Sequence, residues 1–385
     1  MSRAIAILGS TGSIGRSALD VVDRMGGAFR VAALAAGSNL EALAGQIEKY
    51  RPRLVSVGAR RDAERIRGLA RRSGASVAWG PEGAAEVART EGADTVVAAI
   101  TGMSGFAPTL EAVKAGRRVA LANKESLVVG GALLRREAAR SGARIIPVDS
   151  EHSGVFQCLA GIERRHLRRV ILTASGGPFL KTPLAELRRK TAAEALRHPR
   201  WVMGRKVTVD SATMMNKGLE LIEARWLFDL EPSELEVLVH PQCAVHALVE
   251  TADGSLLAQL GPADMRLPIQ YALTWPERRD SGLARLDLGA LRKLEFRPVD
   301  ERRYPLFPLA RRALREGGSL PVALNAANEV AVAAFLEGRI AFPGLHAVVA
   351  AVVEPHRPRP ADSIEAIRDI DAEARREARR ALPRR

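Results

Sequence analysis

The first fifteen residues restrict the fold more than any other stretch of this 385-residue chain. Ala4-Ile5-Ala6-Ile7-Leu8 is an apolar run of strand length. Gly9-Ser10-Thr11-Gly12-Ser13-Ile14-Gly15 separates it from an amphipathic helical pattern through Leu19, Val21, Val22 and Met25. A glycine turn between a strand and a helix lets the backbone approach a pyrophosphate, whose charge is met by amides at the helix N-terminus. The spacing is GxxGxxG rather than GxGxxG, so its position after the first strand carries the argument for a dinucleotide site. Further strands read at Arg30 to Ala36, Leu54 to Val57, Val77 to Trp79, Thr95 to Ile100, Arg118 to Ala122 and Arg144 to Val148, with helical segments between them. This alternation predicts an α/β chain with an N-terminal Rossmann-like, doubly wound parallel sheet. Ligands bind such sheets at the carboxyl edge, where Thr101-Gly102-Met103-Ser104-Gly105 and Asn123-Lys124-Glu125 fall.

The second strand ends in Gly37-Ser38-Asn39, where an NAD-specific fold usually carries an acid for the ribose hydroxyls. Its absence removes a repulsion against a 2′-phosphate and favours NADP(H). The last strand of the series runs through Val148 into Asp149-Ser150-Glu151. If the backbone stays extended there, both acids point to one side and need a cation, a shared proton or water between them. Val209 to Glu220 reads as a capped helix start, with Asn216 and Glu220 on one face and Lys217 beside them. Asp149, Glu151 and Glu220 make an all-oxygen set of the kind Mg²⁺ or Mn²⁺ prefers, and Asn216 and Lys217 suit a phosphate. The expectation is an enzyme that holds a phosphorylated, metal-chelated small molecule.

After Glu151 the pattern changes. Val170 to Ala174 is a strand closed by Ser175-Gly176-Gly177-Pro178, read equally as an anion-binding turn or an ordinary one. Leu196 to Lys206 breaks all periodicity and is either a loop that closes over a ligand or a static connector. Leu235 to Val239 and Val245 to Glu250 alternate like strands, and Asp253-Gly254 marks a hairpin before Leu256 to Leu260. His240 and His246 lie on these strands and read as structural. Trp275 to Asp300 reads as a linker, and four helical segments follow Pro308, at Leu309 to Glu316, Val322 to Leu336, Leu345 to Val353 and Ile364 to Leu382. The expected organisation is a nucleotide domain at 1–148, an α+β catalytic and dimerisation domain at 149–274, a linker at 275–304 and a C-terminal helical bundle at 305–385.

Composition excludes other classes. Apolar residues make up 47%, enough for real cores, and no apolar run reaches the roughly 20 residues that span a bilayer. With no signal pattern at the N-terminus, the chain reads as cytoplasmic, with no membrane partner. The two cysteines form neither a disulfide framework nor a zinc site. A net charge of +14 raises nucleic acid, but the arginines are scattered and aromatics are only 4%, so an arginine-rich solvated surface is preferred.

Together these motifs resemble the 1-deoxy-D-xylulose 5-phosphate reductoisomerase family. The resemblance rests on Gly9 to Gly15, Ala122 to Ser126, Val148 to Ser153, Ser175 to Phe179, His198-Pro199 with Trp201, Met203 to Lys206, and Val209 to Glu223, and spans nearly the whole chain. It implies Asp149, Glu151 and Glu220 as ligands of Mg²⁺ or Mn²⁺. Ser175, Ser211, Asn216 and Lys217 would hold the substrate phosphate. Ser150 and Lys124 would meet the substrate's hydroxyl and carbonyl end, and His198, counted with Lys124 and Glu151 as catalytic, would contact the substrate from the mobile loop, with Trp201 and Met203 covering the site. Thr11, Gly12, Ser13, Ile14, Gly37, Ser38, Asn39, Asn123, Glu125 and Gly204 would contact NADPH. The implied reaction is a metal-assisted retro-aldol and aldol rearrangement followed by reduction to 2-C-methyl-D-erythritol 4-phosphate, with Lys124 and Glu151 as candidates for proton transfer. A homodimer is the family habit. Where some members carry Lys after the second-strand glycine this chain has Ser38, so the 2′-phosphate contact falls to Arg60 or Arg61 or is missing. Two other readings of the residues are a metal-independent NADP-linked dehydrogenase and a basic, dinucleotide-sensing binding protein. Neither explains why phosphate-binding candidates accompany the acids.

Overall fold

The computed structural model describes residues 2–201 and 203–383. They form two compact units, one of residues up to Ser126 with Ala132–Ser153 and Asp264–Leu283, the other of Leu127–Gly131, Gly154–Ala263 and the chain from Ala284 onward. The first 158 residues alternate strand and helix: β1 (Arg3–Leu8), α1 (Ser13–Arg24), β2 (Phe29–Ala35), α2 (Leu40–Tyr50), β3 (Leu54–Val57), α3 (Arg60–Arg72) and β4 (Ser76–Trp79). The series continues with α4 (Gly80–Arg89), β5 (Thr95–Ala98), α5 (Phe106–Lys114), β6 (Arg118–Leu121), α6 (Lys124–Ser141), β7 (Arg144–Pro147) and α7 (Ser150–Cys158). The seven strands make one parallel sheet in the order β4-β3-β2-β1-β5-β6-β7, which bears out the doubly wound expectation. Ile5, Ile7, Val55, Val96 and Val97 are fully buried because helices cover both faces, which is why these strands read as continuous apolar runs. The order reverses at β1, so the switch-point crevice opens beside Gly9 to Gly15.

Two of those three glycines are required by close approach. Gly9 has φ +84°, and a Cβ there would lie 2.6 Å from the Ala99 carbonyl oxygen. At Gly15 a Cβ would lie 2.3 Å from the Gly9 oxygen, so only glycine lets α1 sit down on its own loop.

In the second unit β8 (Leu167–Ala174), α8 (Ala192–Ala195), α9 (Arg205–Thr213) and α10 (Met215–Phe228) precede β9 (Leu235–Val239), β10 (Val245–Thr251) and β11 (Leu256–Leu260). α11 (Arg266–Thr274) belongs to the first unit, where Arg266 pairs with Asp20 at 2.9 Å. α12 (Leu288–Leu291) and β12 (Arg297–Pro298) follow, then α13 (Leu306–Glu316), α14 (Leu320–Leu336), α15 (Phe342–Val353) and α16 (Ile364–Ala381). The five-stranded sheet runs β11-β10-β8-β9-β12 and is largely antiparallel as expected, with one parallel pair, β8 and β9. The stretch read as a linker donates β12 to that sheet's edge: Arg297 and Pro298 pair with Val239 and Leu238, too short a ladder to leave a periodic signal. Three C-terminal helices start before the expected residue because Pro308, Pro321 and Pro343 sit inside first turns, where a missing N–H costs nothing. Among the described residues no helix is long and apolar enough to cross a membrane.

Candidate functional site

Within the glycine loop the amides of Gly9 and Ser10 donate to Ala35 O at 2.8 and 2.9 Å and that of Gly12 to Gly9 O at 3.1 Å, so the amides left for a ligand are those that open α1. Gly12 is the N-cap residue of α1, Gly12 and Ser13 are exposed, and Thr11 and Ile14 are half-buried beside them. The first N–H groups of such a helix have no intrahelical partner and face outward with the positive end of the helix dipole. Asn39, in contrast, uses its side chain to cap α2, accepting from the Ala42 amide at 3.1 Å. Asn123 caps α6, accepting from Ser126 N at 3.0 Å and donating to Gly102 O at 3.1 Å and Glu125 Oε2 at 2.9 Å. Both Asn123 and Glu125 are buried, so these side chains build the loop at the end of β6. Gly37 and Ser38 are exposed at the end of β2, and the Gly58 amide donates to Gly37 O at 3.2 Å. That bond sets the first turn of α3, with exposed Arg60 and Arg61, next to the Ser38 turn.

The acids after β7 are arranged differently from the extended-strand expectation. The strand stops at Pro147, and Ser150 already begins α7, so Asp149 and Glu151 are not paired by strand alternation. Asp149 acts as a cap instead: its Oδ1 accepts from the Glu151 amide at 3.3 Å and lies 3.1 Å from His152 Nδ1. Its other oxygen meets Lys124 Nζ at 2.8 Å, with both side chains about nine-tenths buried. Ser150 Oγ donates to Glu151 Oε2. Lys124, Asp149, Ser150, Glu151 and His152 therefore form one charged cluster at the carboxyl ends of β6 and β7. His152, fully buried, was missed by sequence reasoning, although its position three residues after Asp149 on one helical turn was a usable signal.

The second unit holds the remaining candidates. The expected capped helix start at Val209 is instead the middle of α9, and the chain turns at Met214 (φ 60°) before α10 begins. Arg205 and Lys206, read as loop, open α9, because Gly204 ends the irregular run as the N-cap residue. Helical spacing along α10 holds as predicted: Asn216 Nδ2 and Lys217 Nζ both donate to Glu220, and Lys217 and Glu220 are buried. Lys206 and Asn328 hold Asp210, at 2.9 Å and 2.8 Å, and Asp210 was also missed.

Ser175 follows β8, and its turn is pressed onto α9. Gly177 has φ +69°, and a Cβ there would lie 2.6 Å from Ser211 O, which fixes Ser175 and Ser211 in one neighbourhood. Tyr304 Oη anchors the turn on Gly176 O at 2.8 Å. His198 reaches the same turn, with Nε2 2.8 Å from Ser175 Oγ. Its Nδ1 accepts the amides of Trp201 at 2.9 Å and Arg200 at 3.2 Å, so the ring proton sits on Nε2 and is donated to Ser175 Oγ. Burial pushes the imidazole down to about 4, so it is neutral near pH 7. Ser175 Oγ thus accepts from His198 and from Gly177 N at 3.0 Å, which turns its own proton toward other acceptors. Trp201 and Met203 are half-buried, and the Trp201 ring lies 6.2 Å from that of His246. Val202 lies outside the described residues.

The two strand histidines separate here. His240 is structural as expected: Nε2 accepts the Ala244 and Val245 amides, both at 3.2 Å, and Nδ1 donates to Glu295 O at 2.8 Å. His246, set aside with it, faces the Trp201 loop.

Comparisons with known proteins agree along the chain. Three family models match: 1-deoxy-D-xylulose 5-phosphate reductoisomerase at residues 5–131, its C-terminal domain at 145–228, and the DXP reductoisomerase C-terminal domain at 260–377. The chain is 53% identical to the 1-deoxy-D-xylulose 5-phosphate reductoisomerase of Heliobacterium modesticaldum, over 98% of this chain and 96% of that one. It is 50% identical to the Chlorobium chlorochromatii protein of the same name, over 99% and 100%. Among solved structures it is similar to a DOX-P reductoisomerase in complex with NADPH, fosmidomycin and magnesium (TM-score 0.95, 39% identity, 98% of each chain). It is also similar to the Zymomonas mobilis reductoisomerase in complex with NADPH (TM-score 0.91, 41% identity, 98% of each chain).

Proposed function

The chain belongs to the 1-deoxy-D-xylulose 5-phosphate reductoisomerase family, and from that premise we propose how its own residues divide the work. It is an NADP-dependent oxidoreductase that converts 1-deoxy-D-xylulose 5-phosphate to 2-C-methyl-D-erythritol 4-phosphate in isoprenoid precursor synthesis, using NADPH and a divalent metal. Asp149, Glu151 and Glu220 are the proposed metal ligands. As residue types they supply an all-oxygen carboxylate donor set of the kind Mg²⁺ or Mn²⁺ takes, so the residues present fit the ion. When bound, the cation supplies Lewis-acid polarisation of the substrate's carbonyl and hydroxyl oxygens, and NADPH supplies the hydride.

The chain's own groups do the rest. Lys124 and Ser150 orient the carbonyl and hydroxyl end, and Lys124 or Glu151 moves the proton. The Lys124–Asp149 pair supports this, because the two groups meet at 2.8 Å at the carboxyl edge of the sheet, where the reacting oxygens would arrive. Ser175, Ser211, Asn216 and Lys217 hold the phosphate, with the proton of Ser175 Oγ as one donor to it, while Asn216 and Lys217 also donate to Glu220. His198, Trp201 and Met203 cover the substrate and exclude water. Thr11, Gly12, Ser13, Ile14, Gly37, Ser38, Asn39, Asn123, Glu125 and Gly204 line the NADPH, Asn39, Asn123 and Glu125 by shaping the backbone that contacts it.

The observation that carries these assignments is the charged cluster of Lys124, Asp149 and Glu151 at the carboxyl ends of β6 and β7, the edge of a parallel sheet where ligands bind. Purified protein, 1-deoxy-D-xylulose 5-phosphate and NADPH are mixed with and without divalent metal, and the loss of reduced nicotinamide is followed. Turnover that survives chelation, or that persists in Glu220→Gln, removes the metal assignment.

The same reading takes the protein as a cytoplasmic homodimer. β11 is an edge strand of the five-stranded sheet with Leu256 and Leu257 exposed, a surface suited to a second copy. Light scattering on the wild type and on Leu256→Glu measures it, a monomeric wild type being the contrary result.

A further inference from the structure

The amino edge of the seven-stranded sheet, opposite the glycine loop, carries a feature the reaction does not use. An open cavity of about 370 Å³ is lined by Arg3, Arg118, Arg144, Asp94, Thr95 and two turn glycines. The three arginines are the first residues of β1, β6 and β7, and Thr95 opens the intervening β5, so the sheet itself brings them together. Arg118 is in register with Arg144 on one side and with Thr95 on the other. No ion pair within 4.0 Å engages any of the three guanidiniums among the described residues. Asp94, the one acid in the lining, spends an oxygen on the Ala4 amide at 2.9 Å.

The guanidiniums are nonetheless held in place. Those of Arg118 and Arg144 lie 5.6 and 5.5 Å from the Trp275 ring, Arg118 donates to Trp275 O at 2.9 Å, and Arg3 lies 5.0 Å from the Phe29 ring. Stacking of this kind fixes the planar fork while leaving its N–H edges open. Burial, then the neighbouring Arg3 and Arg144 charges, pull Arg118 below its ordinary range against the smaller pull of Asp94. Like charges gathered at this cost are relieved by an anion. Arginine forks match phosphate oxygens in pairs, and the volume falls in the ~300–1,000 Å³ range of small-ligand pockets.

We propose that this cavity is a separate anion site, which takes a small molecule carrying a phosphate or diphosphate group. It does not overlap the catalytic groups. β6 and β7 are four residues each, so about 13 Å of strand separates Arg118 and Arg144 from Lys124 and Asp149. Its failure would leave the catalytic reading untouched, because substrate turnover is measured separately.

The test is equilibrium dialysis of labelled inorganic pyrophosphate against the full-length protein and against Arg144→Glu and Arg3→Glu. Arg144 is exposed, so reversing its charge leaves the core alone, and an unchanged unfolding midpoint confirms that in each variant. The wild type is expected to bind one equivalent more than either variant, or the same site at least tenfold more tightly, while turnover of 1-deoxy-D-xylulose 5-phosphate stays within twofold. Identical pyrophosphate binding in all three proteins overturns the proposal. So does equal competition by sulfate at matched ionic strength, which would mean charge without phosphate recognition. Preferential binding of duplex DNA over pyrophosphate, lost in Arg144→Glu, also overturns it in favour of a polyanion surface.

Discussion

The charged cluster around Asp149 and the loop around His198, both proposed to serve the same reaction, are built with opposite physics. Lys124, Asp149 and Glu151 stand at the ends of regular elements, Lys124 buried and the two acids partly so, with Asp149 held by Lys124 and the Glu151 amide and the Glu151 carboxylate by the Ser150 hydroxyl. His198, Trp201 and Met203 lie on an irregular segment, and the central histidine is neutral because burial has taken its charge away. The first region is placed by strands, since Lys124 and Asp149 follow directly on β6 and β7 of the parallel sheet. The second is held by the hydrogen bonds of His198 to Ser175 and to the Arg200 and Trp201 amides. On the proposed assignments the difference teaches a division of labour: the groups proposed to polarise the substrate follow regular elements, and those proposed to exclude water sit where the chain bends.

The sharpest way to break that contrast is to remove charge from the first region. Asp149→Asn should lower kcat by about 10³-fold or more while leaving NADPH affinity in place, since it strips a proposed metal ligand and the carboxylate that meets Lys124 Nζ. Steady-state kinetics with a fluorescence titration of NADPH reads both, and near-normal kcat would mean the cluster is structural. On the loop side a smaller effect is expected. Trp201→Ala should cost about 10- to 100-fold in turnover with NADPH affinity barely changed, because closure is lost but the polarising groups are not. Unchanged kinetics would make the loop a static connector.

Acid should act on the loop before it acts on the fold. The His198 imidazole is depressed from 6.5 to about 4, so the closed loop keeps its full stability above pH 6.5 and loses it progressively as pH falls toward 4. Fluorescence of Trp201 followed through that interval should report opening, and His198→Gln should flatten the curve; an identical curve in the variant assigns the change elsewhere. The smallest effect concerns the cofactor edge. Arg60→Ala should raise the KM for NADPH about tenfold with little change for NADH, the loss expected for one charged contact to the 2′-phosphate. If Arg61→Ala does this instead, the contact moves one residue along α3.

How far these features were legible varies with the distance over which they are decided. The parallel sheet was readable because each strand is a short buried run between glycine and polar punctuation, and the Asn216, Lys217 and Glu220 constellation because helical neighbours are three and four residues apart. The error at Asp149 and Glu151 had a local cause: nothing in Val148-Asp149-Ser150 distinguishes a continuing strand from a helix N-cap, and Asp and Ser are favoured caps. The late starts of the C-terminal helices came from reading proline as a stop when it also begins helices. β12 was hidden because two residues carry no period.

By itself the sequence determined the alternation that makes the first sheet, the glycines without which α1 could not pack on its loop, and the residue types that the reaction needs. Only the tertiary structure decided which nitrogen of His198 keeps its proton, that Asp149 caps a helix while pairing with Lys124, and that Arg3, Arg118 and Arg144 share one cavity. The physical reason is one of range. Backbone periodicity and capping are settled within a few residues. Burial, ionisation and charge clustering depend on neighbours that arrive from distant parts of the chain, and no local pattern records them.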